Sequence, residues 1–290
     1  MMLSRLTINA DTKLCCLIGD PVIQSISPEI HNASFKDKRI NFVYLSFRVE
    51  KDDLKRAITG LQTLGVRGIN VTIPHKESVM ELLDSIDKSA SVIGAVNTII
   101  NENRKLMGFN TDIDGFIEPF RERRIELRNR KALITGSGGS ARACISGLVK
   151  EGCKDILILT RNEVRGNKMV AHLKKNLKFT GEVLKLNEEN LSKTLIAVDI
   201  IVNATPVGMY PNVGESPIPL RLLKKSHVIC DIVYKPLRTK LIEYGEKSGC
   251  VTIPGYEMLV NQAAKSFELW TGQEAPRDIM MKVAKSKLRG

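Results

Sequence analysis

The sequence predicts an α/β protein of two layered units, and three observations carry that expectation. Strand-like apolar runs alternate with helix-like amphipathic runs from about Leu14 onward, the pattern produced when helices pack on a largely parallel sheet. At 290 residues the chain exceeds what one small hydrophobic core organises, so two domains are expected. A glycine-rich turn, Gly136-Ser137-Gly138-Gly139-Ser140-Ala141, lies mid-chain between a strand-like and a helix-like run and opens a second series of strand–helix units.

Taken in order, Leu14 to Gly19 reads as a short buried strand ended by Asp20-Pro21. Ser27-Pro28-Glu29 starts a helix with Ser27 as N-cap and Pro28 at its first position, running to about Lys38. Phe42 to Val49 is a strand, Lys51 to Leu64 a helix closed near Gly65, Arg67 to Ile73 a strand, and Lys76 to Leu83 a helix. Two closely spaced strands, Asn97 to Ile100 and Lys105 to Gly108, form a hairpin turned at Asn101-Glu102-Asn103, which makes the first sheet mixed. A helix from Asp112 to Arg124 leads onward. Lys131 to Thr135 (strand), Gly139 to Lys150 (helix), Asp155 to Thr160 (strand) and Glu163 to Asn176 (helix) follow, with strands at Glu182 to Leu186, Ile200 to Asn203, Val228 to Ile232 and Val251 to Thr252. This second series is a doubly wound, Rossmann-like unit. Tyr256 to Trp270 and Pro276 to Lys287 close the chain as two amphipathic helices. The expected division is residues 1–112 with 255–290 in one domain and 113–254 in the other.

Composition excludes several classes. No apolar run reaches the ~18–20 residues that span a bilayer. The start Met1-Met2-Leu3-Ser4-Arg5 lacks the apolar core of a secretory signal, so a cytoplasmic protein is expected. The six cysteines include no CxxC pair and no zinc spacing, and read as reduced, mostly buried thiols with no metal site. A net charge of +12, from 44 basic against 32 acidic residues, invites a nucleic-acid reading. The basic residues are spread along the chain, however, and the densest run, Arg121 to Lys131, reads as a solvated face. No nucleic-acid partner is expected; positive charge also suits a protein with anionic small-molecule ligands.

The glycine turn fits G-x-G-x-x-[GA] in its required context, after the strand Lys131–Thr135 and opening a helix. Gly136 permits the tight turn, Gly138 lets the backbone approach a pyrophosphate, Ala141 keeps helix and strand close, and Ser137, Gly139 and Ser140 complete the cradle at the helix N-terminus. About 20 residues on, where an NAD site carries an acid for the ribose 2′-hydroxyl, stands Thr160-Arg161-Asn162, with Arg165 one turn later. Guanidinium groups there suit a 2′-phosphate, so NADP is the expected cofactor. Two ordinary surface arginines are the alternative.

Lys76 closes Asn70-Val71-Thr72-Ile73-Pro74-His75-Lys76, and Asp112 closes Gly108-Phe109-Asn110-Thr111-Asp112. A lysine and an aspartate ahead of a dinucleotide turn suit hydride transfer at an alcohol carbon, where one group moves the hydroxyl proton while the cofactor moves the hydride. Together with Ser25-Ile26-Ser27-Pro28, Gly94-Ala95-Val96-Asn97-Thr98, Asn203-Ala204-Thr205-Pro206-Val207-Gly208-Met209, Asp231-Ile232-Val233-Tyr234-Lys235-Pro236 and Gly255 through Gln262, these segments form an ordered set that resembles the shikimate dehydrogenase family from about Ile18 to Gln262.

The resemblance implies NADPH-dependent, reversible reduction of 3-dehydroshikimate to shikimate in aromatic amino-acid biosynthesis. It implies that Ser25 and Ser27 bind the substrate carboxylate, that Thr72, Asn97, Asp112 and Gln262 hold ring hydroxyls, that Tyr234 lines the site, and that Lys76 is the acid/base with Asp112 orienting it. Ile232 and Gly255 join the cofactor contacts. The first domain is then the substrate domain, the second the NADP domain; a homodimer is compatible with this. Gln24 and His75 stand where the family commonly has histidine and an aromatic, and Thr160-Arg161-Asn162 permutes the usual Asn-Arg-Thr. Ser27 favours shikimate over quinate. A quinate/shikimate dehydrogenase with relaxed substrate or cofactor choice is the near alternative, and a nucleotide-binding regulator without turnover the distant one.

Overall fold

The computed structural model describes residues 8–289, which fall into two compact units. One comprises the residues up to Thr111 together with Gln262–Lys287; the other is built from Asp112–Asn261.

The first unit begins with β1 (Lys13–Gly19), α1 (Ser27–Asp37), β2 (Phe42–Arg48), α2 (Leu54–Thr63) and β3 (Gly68–Val71). It continues with β4 (Ser85–Ile86), α3 (Lys88–Ile93), β5 (Thr98–Glu102) and β6 (Lys105–Phe109). The sheet order is β2-β1-β3-β5-β6-β4. The strand pairs β1/β2 and β1/β3 are parallel, whereas β3/β5 and β5/β6 are antiparallel. The mixed sheet is therefore as expected. Cys16, Ile18, Ile69, Val71 and Ile99 pack on one face with Leu54, Ile58 and Val79.

The second unit holds α4 (Asp112–Glu122), β7 (Lys131–Thr135), α5 (Gly139–Lys150), β8 (Asp155–Thr160), α6 (Glu163–Lys174), β9 (Thr180–Lys185), α7 (Glu188–Leu195), β10 (Ile200–Asn203), β11 (Val228–Asp231), α8 (Lys240–Lys247) and β12 (Val251–Pro254). All six strands run parallel in the order β12-β11-β10-β7-β8-β9. This is the doubly wound arrangement, and its strand order reverses between β7 and β10. Alternation supplies two cores: Ala132, Ile134, Ile156, Ile158, Ile200 and Val202 face one side, while Leu133, Leu159, Ile201 and Ile229 face the other. Strands buried on both faces must be apolar throughout.

The chain returns through α9 (Gly255–Thr271) and ends with α10 (Arg277–Leu288). The passage from second to first unit lies inside α9, between Asn261 and Gln262. In the first unit Trp270 is buried where only a glycine strand admits it: a Cβ on Gly68 would lie 2.5 Å from the indole. Among the described residues no helix is long and apolar enough to cross a membrane.

Local expectations needed correction in six places. Ser27 is the first residue of α1, not its N-cap; Ile26 holds that position without a side-chain bond, because the Ser27 hydroxyl is engaged by Ser25. Lys76–Leu83 is no α-helix. The Lys76 carbonyl accepts from Val96 N–H at 2.8 Å, which takes it out of any helical ladder, and only a 3₁₀ stretch Ser78–Leu82 remains. The hairpin turns at Asn103-Arg104, both at positive φ (52° and 60°), as a two-residue loop with matching twist requires. The helices α3, α7 and α8 were not anticipated.

Candidate active site

In the first unit Ser25 and Ser27 are bonded to each other, and Asn97 and the Gln262 carbonyl belong to a second, largely buried hydrogen-bonded network. Ser25 Oγ donates to Ser27 Oγ (3.1 Å) and accepts from Ser27 N–H (3.2 Å), which folds the loop before α1 back on itself. The Tyr44 hydroxyl donates to Asn70 Oδ1 at 2.8 Å. The Asn70 amide donates to the Asn97 carbonyl (3.2 Å), Thr98 Oγ1 (3.1 Å) and Ser266 Oγ (3.2 Å). Asn97 Oδ1 accepts from Thr111 N–H at 2.8 Å, and Ser266 Oγ donates to the Gln262 carbonyl at 3.0 Å. Burial, then the nearby Cys16 and Cys15 sulfurs, raise the Tyr44 phenol well above its ordinary range, opposed by Ser27. It therefore stays a neutral donor, as the network requires.

Thr72 and Lys76 stand on the turn that follows β3. Thr72 N–H donates to the Ile18 carbonyl at 3.0 Å, and the Thr72 carbonyl accepts from His75 N–H at 2.9 Å. His75 is buried, with Nε2 2.7 Å from the Val49 carbonyl. A carbonyl only accepts, so Nε2 carries the proton. His75 thereby straps the turn bearing Lys76 to the end of the first parallel pair. Asp112, buried, directly follows Thr111 and opens α4.

In the second unit Gly136 has φ +105°, and a Cβ there would lie 2.7 Å from the Ala204 carbonyl oxygen; only glycine fits. Gly138 caps α5 in an extended conformation, and its Cβ position faces open space, leaving room at the helix N-terminus for a pyrophosphate. Ser137 Oγ and Thr160 Oγ1 are 3.0 Å apart, tying the turn after β7 to the end of β8. Asn162 caps α6 by accepting from Arg165 N–H at 2.9 Å. Thr160 and Asn162 are thus builders of the cradle, while Arg161, just past β8, and Arg165, in the first turn of α6, lie exposed. Ile232 N–H donates to the Asn203 carbonyl at 3.1 Å. Gly255 touches the Ile232 and Val233 backbone, since its Cβ would come within 2.5 Å of the Val233 oxygen. Burial raises the Tyr234 phenol. The donors and the open glycine position fit a dinucleotide, and the paired arginines fit a 2′-phosphate.

Residues 17–99 match the shikimate dehydrogenase substrate binding domain, residues 120–214 match shikimate / quinate 5-dehydrogenase, and residues 255–285 match the shikimate 5′-dehydrogenase C-terminal domain. The shikimate dehydrogenase (NADP(+)) of Methanopyrus kandleri is 42% identical over 285 residues, covering 98% of each chain. The chain belongs to the shikimate dehydrogenase family. A shikimate dehydrogenase crystallised in complex with NADP+ superposes with a TM-score of 0.88 at 40% identity, over 97% of this chain and 98% of that one. The shikimate 5-dehydrogenase of Thermus thermophilus, in complex with NADP(H) and shikimate, does so with a TM-score of 0.84 at 29% identity, over 95% and 100%.

Some members of this hydrogen-bonded network escaped the sequence. Tyr44, Asn70, Thr98 and Ser266 build the network around Asn97 and the Gln262 carbonyl and had no assigned role. One signal was available: Asn70 is the polar residue in the buried strand Gly68-Ile69-Asn70-Val71, and a buried amide must find partners.

Proposed function

We propose that this chain is an NADP-dependent shikimate dehydrogenase that reversibly reduces 3-dehydroshikimate to shikimate. The observation that carries it is the Ser25–Ser27 pair together with the network that runs from Tyr44 through Asn70 to Asn97 and the Gln262 carbonyl. It fixes short hydroxyl and amide groups, the kind that read a small ring bearing a carboxylate and several hydroxyls. A site built this way rejects analogues that leave its polar groups unpaired. The family relationship over nearly the whole chain supports the same reading.

On this reading the residues up to 112 with 255–290 form the substrate domain and 113–254 the NADP domain. Ser25 and Ser27 take the carboxylate; Thr72, Asn97, Asp112 and Gln262 take ring hydroxyls; Tyr234 lines the ring. Gly136, Ser137, Gly138, Gly139 and Ser140 take the pyrophosphate, Arg161 and Arg165 the 2′-phosphate, and Ile232 and Gly255 the nicotinamide side. NADPH, when bound, supplies the hydride to C3. Lys76 donates a proton to the C3 oxygen as the hydride arrives and recovers it from solvent; in reverse it takes the hydroxyl proton. Asp112 orients the ammonium. The unbridged cysteines suit a cytoplasmic setting.

Lys76→Ala should lower kcat by about 10²–10⁴, the scale of general acid/base loss, with the KM for shikimate changed little. A variant that keeps most of its kcat removes Lys76 from the mechanism. Steady-state assays with shikimate and quinate, each with NADP and NAD, test the substrate and cofactor; equal efficiency on quinate with NAD would favour the relaxed enzyme.

A further inference from the structure

Three strands of the second unit end in a row of buried polar side chains. Thr135 (β7), Asn203 (β10) and Asp231 (β11) are register partners, all essentially inaccessible, at the point where the strand order reverses. Ligands of doubly wound sheets bind outside the carboxyl ends of the strands at that point.

The row is bonded throughout. Thr135 Oγ1 donates to Asn203 Oδ1 at 3.1 Å, and that oxygen also accepts from Thr205 N–H (3.0 Å) and Thr205 Oγ1 (2.7 Å). Asn203 Nδ2 donates to the Val207 carbonyl (3.1 Å) and to Asp231 Oδ1 (2.9 Å). Asp231 Oδ1 accepts again from Val233 N–H at 3.0 Å, and Oδ2 accepts from Thr239 Oγ1 at 2.7 Å. Thr239 is the N-cap of α8. One carboxylate and one amide therefore pin three segments: the loop after β10, the segment after β11, and the start of α8.

Those segments touch the glycine positions already described. The Ala204 oxygen lies against Gly136, and the Ile232 and Val233 backbone lies against Gly255. A carboxylate met by an amide, a backbone N–H and a hydroxyl, with no cation among these contacts, is costly to bury. Its geometry explains its presence, since every group meeting it is a donor and an ionised carboxylate only accepts.

We propose that Asp231, acting through Asn203, is a positioning residue for the cofactor, holding the loops at residues 204–208 and 232–239 in register with the glycine turn. This rests on the second unit being the NADP site. The test is direct titration of NADPH fluorescence beside steady-state kinetics, on wild type, Asp231→Ala and Asp231→Asn. Asparagine keeps an oxygen for Asn203 and Val233 and turns its amide to the Thr239 hydroxyl, so it should restore binding. Asp231→Ala should weaken NADPH binding about tenfold or more, as expected when buried donors lose their acceptor, with the KM for shikimate within about twofold of wild type. Asp231→Asn should stay within about threefold of wild type. If Asp231→Ala does not fold, Thr135→Val, which removes one bond from Asn203 without a change of shape, should weaken NADPH about threefold and leave shikimate alone. Unchanged NADPH affinity in the folded variant, equal losses for NADPH and shikimate, or an asparagine variant as weak as alanine would each overturn the inference. A wild-type chain that binds no NADPH would instead remove the cofactor reading itself, and this inference with it.

Discussion

His31 and Asp231 carry opposite pH dependences, and each can be isolated by one substitution. His31 is fully buried, stacked on Tyr44 with ring centroids 4.5 Å apart, and neither ring nitrogen has a partner. Burial lowers its pKa to about 3, so the folded protein binds fewer protons there than the unfolded chain below the ordinary 6.5. That contribution to stability is present above pH 6.5 and is lost as pH falls toward 3. For Asp231 burial, opposed by Thr239, Val233 and Asn203, raises the pKa to about 6; its contribution is complete below 3.8 and is lost as pH rises through 6. Relative to wild type, His31→Phe should gain stability on acidification below 6.5, by about 1 kcal/mol per pH unit. Asp231→Asn should gain it as pH rises from 4 to 6, then level off. Urea unfolding at several pH values reads both, and a pH-independent difference for either variant excludes its assignment. Neither role was legible in the sequence. His31 sits on an ordinary amphipathic helix, and Asp231 ends an apolar strand; a motif names such residues but does not reveal whether their neighbours are donors or rings.

At the level of elements, legibility followed length and punctuation. Lys131–Thr135, Gly139–Lys150, Asp155–Thr160 and Ile200–Asn203 have the same bounds in the sequence reading and the structure, because apolar continuity and glycine or charged ends bracket each. Short helices failed: α3 spans six residues, Lys88–Ile93, less than two turns, too few for a period to show. The stretch after Pro74 failed differently, since a long-range bond from Val96 to Lys76 overrides local propensity. The candidate site divides in the same way. Its glycine turn was readable from spacing and its serines were named only through the family resemblance, whereas the structural employment of Thr160 and Asn162 became visible only in the fold. Asn162 Oδ1 is engaged in capping α6, and the proposed function gives the 2′-phosphate to the two arginines. Arg161→Ala should raise the KM for NADP about tenfold or more while leaving that for NAD within about twofold, consistent with loss of a charge-assisted phosphate contact. An unchanged NADP/NAD ratio would place the phosphate elsewhere.

At the scale of the whole chain, α9 is the helix within which the chain passes from one unit to the other. Its Gly255–Asn261 portion belongs to the second unit and its Gln262–Thr271 portion to the first. A helix propagates cooperatively, so melting one half removes the ladder that supports the other. The protein carries one tryptophan, Trp270, buried in the first-unit part of this helix, with its indole N–H bonded to the Ile99 carbonyl at 3.1 Å. Its fluorescence therefore reports the first unit, while NADP is assigned to the second. At about a hundred times its dissociation constant, NADP should stabilise whatever unfolds with its site by about 2.7 kcal/mol. The expected outcome is a single urea transition, coincident by Trp270 fluorescence and far-UV circular dichroism, with both midpoints shifted upward together by NADP. A fluorescence midpoint that stays fixed while the dichroism transition splits would mean that the two units unfold independently and that α9 transmits nothing between them.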